Sequence, residues 1–179
     1  MTDTALIVVD MFNSYRHADA EDLAASVGRI IEPLADIVRR ARRRDDTDLI
    51  YVNDNYGDFT TDRDHIVRRA LEGNRRDLVA PIVPSSECKF LLKVRHSAFY
   101  STSLDYLLRR LGASRVILAG QVTEQCILYS ALDAYIRHFD VCVPTDAVAH
   151  IDPDLGAAAL KMMQRNMRAE LVSAEDCLD

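Results

Sequence analysis

Arg115-Val-Ile-Leu-Ala-Gly-Gln-Val-Thr-Glu-Gln-Cys126 is the stretch that decides the fold. Arg115 to Ala119 is a short apolar run with β-branched residues, the pattern of a strand buried on both faces. Gly120 to Thr123 then turns the chain, and the segment continues as a helix through Arg137 with Cys126 in its first turn. A strand passing through a tight turn into a helix is half of a β-α-β unit. The unit recurs on both sides. Upstream, Ala5 to Val9 reads as a strand, followed by a helix from Asp19 to Arg44. Its Leu23, Val27, Ile30, Ile31, Leu34, Ile37, Val38 and Ala41 share one face. Asp48 to Val52 is a second strand, Asn53 to Asp58 a polar loop, and Asp62 to Leu71 a short helix. Pro81 and Pro84 break the chain before a third strand, Cys88 to Leu92. Ser101 then caps a helix that runs through Leu111 to Gly112. Downstream, Phe139 to Val143 is a strand stopped by Pro144, Pro153 to Met167 a helix, and Ala169 to Val172 a last short strand. The repetition predicts an α/β fold: a three-layer α/β/α sandwich around a mainly parallel six-stranded sheet, as one domain over 1–179.

Composition narrows the function classes. The chain has 179 residues and 22 Lys and Arg against 28 Asp and Glu, a formal net charge of -6. That balance argues against general binding to nucleic acid or anionic membranes. Ala5 to Val9 is too short for a signal peptide or a membrane span, which needs about 20 apolar residues. The arginines Arg39, Arg40, Arg42, Arg43 and Arg44 end a helix and meet Asp45, Asp46 and Asp48. They read as a solvated turn complementing the helix dipole. Cys88, Cys126, Cys142 and Cys177 form no CxxC pair and no zinc spacing, which fits free thiols in a reducing cytoplasm.

In parallel sheets ligands bind at the carboxyl ends of the strands. Asp10 follows the first strand, Lys93 the third, and Cys126 the fourth. Each alone has a bland reading: a cap, a surface lysine, a small buried thiol. Their shared topological position is the signal. A helix start and a nearby lysine favour a thiolate at Cys126, Asp10 is placed to accept and return its proton, and turn N–H groups are placed to hold an oxyanion. Lys93 follows the apolar Phe90-Leu-Leu92 and is expected to be drawn inward onto a carboxylate.

Three segments resemble the isochorismatase-like cysteine hydrolases: Leu6-Ile-Val-Val-Asp-Met-Phe-Asn13, Lys93-Val-Arg-His-Ser-Ala-Phe-Tyr-Ser-Thr102, and Val116 through Cys126. The resemblance implies an Asp10–Lys93–Cys126 triad. It also implies a non-proline cis peptide at Gln121–Val122 and an oxyanion hole from the N–H groups of Val122 and Cys126. The implied reaction is hydrolysis of an amide, ureido or carbamoyl C–N bond in a small-molecule substrate, through a thioester. Relatives commonly self-associate, so a homo-oligomer (dimer or tetramer) is implied as well.

Departures narrow this further. Nicotinamidases of the family bind a metal through Asp-x-His after the second strand; here that place reads Asn53-Asp54-Asn55, and His65 is a lone helical histidine. No metal and no other cofactor is therefore expected. The chain has no Trp to wall a pyridine ring. Cys126 favours C–N hydrolysis over isochorismatase-type vinyl-ether cleavage, which stays as one alternative, with a catalytically silent binding protein as another. Phe12, Tyr56, Phe59, Tyr100 and Tyr129 are candidate pocket aromatics, and Arg95 and His96 candidate polar contacts.

Overall fold

Strand β1 (Thr4–Val9) is apolar from Ala5 onward because it lies mid-sheet between two parallel neighbours, β2 (Thr47–Asp54) and β4 (Arg115–Gln121). The computed structural model describes residues 3–179. The remaining strands are β3 (Lys89–Lys93), β5 (Asp140–Pro144), β6 (Val148–Ala149) and β7 (Glu170–Val172). Their order is β3-β2-β1-β4-β5-β7, with every pair parallel. Strand β4 shares one edge between two partners, β5 along Arg115–Ile117 and β6 along Gly120–Gln121. The sheet therefore has seven strands rather than six. A two-residue strand carries no periodicity for a sequence reading to detect.

The helices are α1 (Ala20–Ala41), α2 (Arg63–Leu71), α3 (Arg76–Val79), α4 (Leu104–Leu111), α5 (Leu128–Ile136) and α6 (Pro153–Asn166). Alternate residues of β1 feed two cores. Leu6 and Val8 pack toward α1, whereas Ala5, Ile7 and Val9 pack toward α4, α5 and α6. Two-sided burial is what a layer of helices on each face requires.

Several boundaries move, each for a local reason. Helix α1 stops at Ala41, and its arginines do more than face water: Arg40 donates to the Ala174 carbonyl (3.0 Å), and Arg42 to the Val83 carbonyl (2.9 Å) and Tyr51 hydroxyl (3.0 Å). Ser101 does not cap α4. It takes a left-handed φ of 55°, and the Leu104 N–H is accepted by Thr102 Oγ1 at 3.2 Å. Strand β3 runs one residue further than the apolar run, so Lys93 is its last residue rather than the one after it.

Gly120 is the tightest point of the sheet. Its φ is +112°, and a Cβ there would lie 2.2 Å from the Val9 carbonyl oxygen. Only glycine lets β4 turn this close to β1 at the edge where the reactive residues gather.

Candidate active site

Asp10, Lys93 and Cys126 meet at the carboxyl edge of the sheet, carried there by the ends of β1, β3 and β4. Lys93 is fully buried, with Nζ 2.9 Å from Asp10 Oδ2 and 3.8 Å from Cys126 Sγ. Asp10 sits at φ 54°, an uncommon conformation for a residue with a Cβ. It is pinned there by its own N–H to the Val52 carbonyl (2.9 Å), by the Asp54 N–H on Oδ1 (2.7 Å), and by Gln121 Nε2 on its carbonyl (2.6 Å).

Cys126 lies in a π-helical turn, Thr123–Ile127, that precedes α5; it is not in the first turn of a regular helix. The Ile127 N–H reaches back to the Val122 carbonyl (3.1 Å), which widens the turn. Thr123 Oγ1 ties the turn to the Ala149 carbonyl at 2.9 Å. Glu124 Oε1 accepts the N–H groups of Ile151 and Asp152, both at 2.9 Å. The Gln121–Val122 peptide is cis.

The charges are coupled. Burial raises the Asp10 carboxyl above its ordinary range, against the pull of Lys93. Burial works against the Lys93 ammonium, but Asp10, the thiol and Asp54 outweigh it and raise its pKa. Burial, then the Asp10 charge, push the Cys126 thiol up to about 12. Burial and the Asp10 charge thus oppose the thiolate that the turn and the lysine favour. Desolvation outweighs both.

Asp54 is the residue the sequence reading passed over. Its Oδ2 is 3.2 Å from Lys93 Nζ, and its Oδ1 accepts the Tyr56 N–H at 2.7 Å. Among the described residues, no group of three or more His, Cys, Asp or Glu gathers to hold a metal ion. The signal in the sequence was a second acid at the end of the strand beside Lys93.

The aromatic candidates divide. Phe12 is buried against Tyr51 and Phe90, with ring centroids at 5.7 and 5.8 Å. Tyr56 turns its hydroxyl inward to donate to the Phe12 carbonyl at 2.9 Å. Tyr129 is half-exposed and edge-on to His96. Phe59 is 81% exposed at the tip of a loop closed by Asp58 onto Thr60, so it does not line the site; Tyr100 and Arg95 are exposed as well.

The Isochorismatase domain model matches residues 4–176. The chain belongs to the isochorismatase family. Within it, the isochorismatase family protein YaaI of Bacillus subtilis is 32% identical over 177 residues, covering 99% of this chain and 97% of that one. Maleamate amidohydrolase of Pseudomonas putida is 30% identical over 159 residues, covering 83% and 74% of the two chains. Among solved structures, the N-carbamoylsarcosine amidase of Thermoplasma acidophilum superposes with a TM-score of 0.74 at 28% identity, covering 98% of each chain. This isochorismatase-family hydrolase thus has amidohydrolases among its relatives.

Proposed function

We propose that the chain hydrolyses the C–N bond of a small amide, ureido or carbamoyl compound through a thioester on Cys126. The observation that carries the reading is Lys93: a fully buried ammonium held between the Asp10 carboxylate and the Cys126 sulfur. With the thiol's pKa raised by burial, attack and proton transfer occur together. Sulfur bonds to the carbonyl carbon as its proton passes to Asp10, whose raised pKa makes it the stronger base. The Val122 and Cys126 N–H groups receive the developing oxyanion. The C–N bond then breaks, and the nitrogen leaves with the proton from Asp10. Water attacks the thioester and gives its proton to Asp10, which returns it to the Cys126 sulfur as the C–S bond breaks and the acid leaves. Lys93 stays charged throughout and balances the negative charge that moves between Asp10 and the oxyanion.

Supporting context comes from the amidohydrolase relatives and from four cysteines that stand as free thiols, which suit a cytoplasmic setting. Among the described residues no helix is long and apolar enough to cross a membrane. Self-association belongs to the same reading: Tyr129, Leu132 and Ile136 leave an exposed apolar stripe on α5.

The test is Cys126→Ala assayed on amides, ureides and carbamoyl acids, with mass spectrometry of the wild-type protein to trap an acyl adduct on Cys126. Loss of turnover with an unchanged circular dichroism spectrum supports the reading, and retained turnover overturns it. The high thiol pKa favours a second reading, a silent binding protein. Stoichiometric binding without turnover by the wild type would establish that one. Hydrolysis of the vinyl-ether bond of isochorismate would establish the third, the vinyl-ether hydrolase.

A further inference from the structure

The Tyr15 hydroxyl and Gln121 Oε1 are both buried, and neither has a hydrogen-bond partner among the described residues. A polar atom left alone in the interior is costly, and these two are complementary. Gln121 ends β4, and its Nε2 donates to the Asp10 carbonyl at 2.6 Å. That bond fixes the direction of the amide: its nitrogen faces Asp10, so its oxygen is an acceptor aimed elsewhere. The Tyr15 O–H is a donor. Burial raises its pKa, while Arg75 and the Gln121 side chain pull the other way, which puts the hydroxyl beside that amide.

The backbone places both ends of this arrangement. Asp10 and Tyr15 lie on one loop, and both take left-handed φ values, 54° and 52°. Residues with a Cβ rarely do so, and such conformations persist where the surroundings over-determine the chain. At Tyr15 those surroundings are side-chain amides. Its N–H donates to Asn13 Oδ1 (2.8 Å), and its carbonyl accepts from Asn74 Nδ2 (3.0 Å). Between the two residues, the Phe12 N–H donates to Asn53 Oδ1 (2.9 Å), and the Phe12 carbonyl accepts from the Tyr56 hydroxyl (2.9 Å). The loop is therefore tied down along its length, with the Tyr15 ring in the apolar core. At the Asp10 end, the Gln121 amide is one of the ties.

We propose that Tyr15 is a positioning residue: its hydroxyl donates to Gln121 Oε1, and the Gln121 amide passes that restraint to the Asp10 main chain, and so to the carboxylate beside Lys93 and Cys126. The inference rests on the hydrolase reading above, in which Asp10 takes the thiol proton and returns it. Such a transfer needs the acid held to within about 0.5 Å of its working place. An amide bonded at one end still turns about its last side-chain bond. Bonded at both ends it is locked, and the Asp10 carbonyl with it. Tyr15 thus acts through Gln121 and not on the reacting atoms.

The test follows the amide itself and then turnover. The full chain is prepared with isotopically labelled glutamine for nuclear magnetic resonance. Its glutamines are Gln121, Gln125 and Gln164, and the Gln121 side-chain signal is the one lost in Gln121→Met. Tyr15→Phe keeps the ring, and its fold is checked by circular dichroism. It is expected to speed hydrogen exchange of the Gln121 side-chain amide by about ten-fold. The backbone N–H of Leu118, buried in the middle of β4, is the control, because a general loosening would speed both alike. Unchanged exchange at Gln121, or an equal increase at Leu118, overturns the proposal. A higher urea midpoint also overturns it, since Phe relieves a hydroxyl that is buried without a partner. On the amides, ureides and carbamoyl acids that the wild type turns over, Tyr15→Phe is expected to lower kcat by about ten-fold with KM unchanged. In a Gln121→Met background it is expected to lower kcat no further. An unchanged kcat, a rise in KM alone, or additive losses in the double variant overturn the proposal and leave the hydrolase reading standing. Faster exchange at Gln121 in a protein that turns over no amide supports the link from Tyr15 to Gln121 and overturns the hydrolase reading.

Discussion

Lys93 Nζ stands 2.9 Å from Asp10 Oδ2, and none of the lysine side chain reaches solvent. A buried charge that loses its partner costs about 3–5 kcal/mol, whereas one that keeps a second partner costs less. Lys93→Met leaves Asp10 and Asp54 facing each other without a cation, while Asp10→Asn leaves Lys93 paired to Asp54 at 3.2 Å. The expected outcome is a larger drop in urea midpoint for Lys93→Met than for Asp10→Asn. Turnover should fall by about 10²-fold or more in both. Equal destabilisation would mean that Asp54 does not hold the lysine.

Asp54 acts through Lys93 and so is a positioning residue. Asp54→Asn keeps the backbone N–H that pins Asp10 and removes one charge from the ammonium. A charge-assisted hydrogen bond is worth about 1.5–3 kcal/mol, which corresponds to roughly 10- to 100-fold in rate. The loss is expected in kcat with KM little changed. A change confined to KM would place Asp54 against the substrate instead.

Gly120→Ala should be among the most damaging single substitutions in the chain. The added methyl would sit 2.2 Å from the Val9 carbonyl oxygen at a φ of +112°. Relief requires β4 to move from β1, beside Gln121 and the Asp10 backbone it holds. Destabilisation of about 3 kcal/mol or more is expected, together with lost turnover. A thermal unfolding midpoint within a few degrees of wild type would show that the strands can part.

The pH dependence has a definite sign. Burial raises the thiols of Cys126 and Cys142 from 9.0 to about 12 and that of Cys177 to about 11. A group whose pKa is raised by folding contributes stability that is complete below its unfolded value and is lost as pH rises toward the folded one. Urea midpoints should therefore hold to about pH 9 and fall between pH 9 and 11. Alkylation of Cys126 by iodoacetamide in the resting protein should be slow at pH 7 and climb about ten-fold per pH unit up to pH 10. A plateau below pH 8 would show a resting thiolate.

Much of the fold was legible because burial on both faces leaves a plain mark. Ala5–Val9 and Arg115–Ala119 are continuous apolar runs, and the apolar face of α1 repeats at helical spacing. The pair Val148–Ala149 was illegible, because two residues pair only when β4 is already there to receive them. Lys93 was expected inward from its apolar neighbours, but Asp54 was not expected as its second partner. That contact joins residues 39 positions apart across two strands.

The sequence by itself determined the order of strands and helices, and hence which side chains come to the carboxyl edge, because periodicity and turn residues are local properties. Tertiary structure alone decided the charges there. The turn before α5 and Lys93 both argue locally for a thiolate at Cys126, yet burial beside Asp10 pushes its pKa up. Desolvation depends on everything packed around a group, and no stretch of sequence carries it.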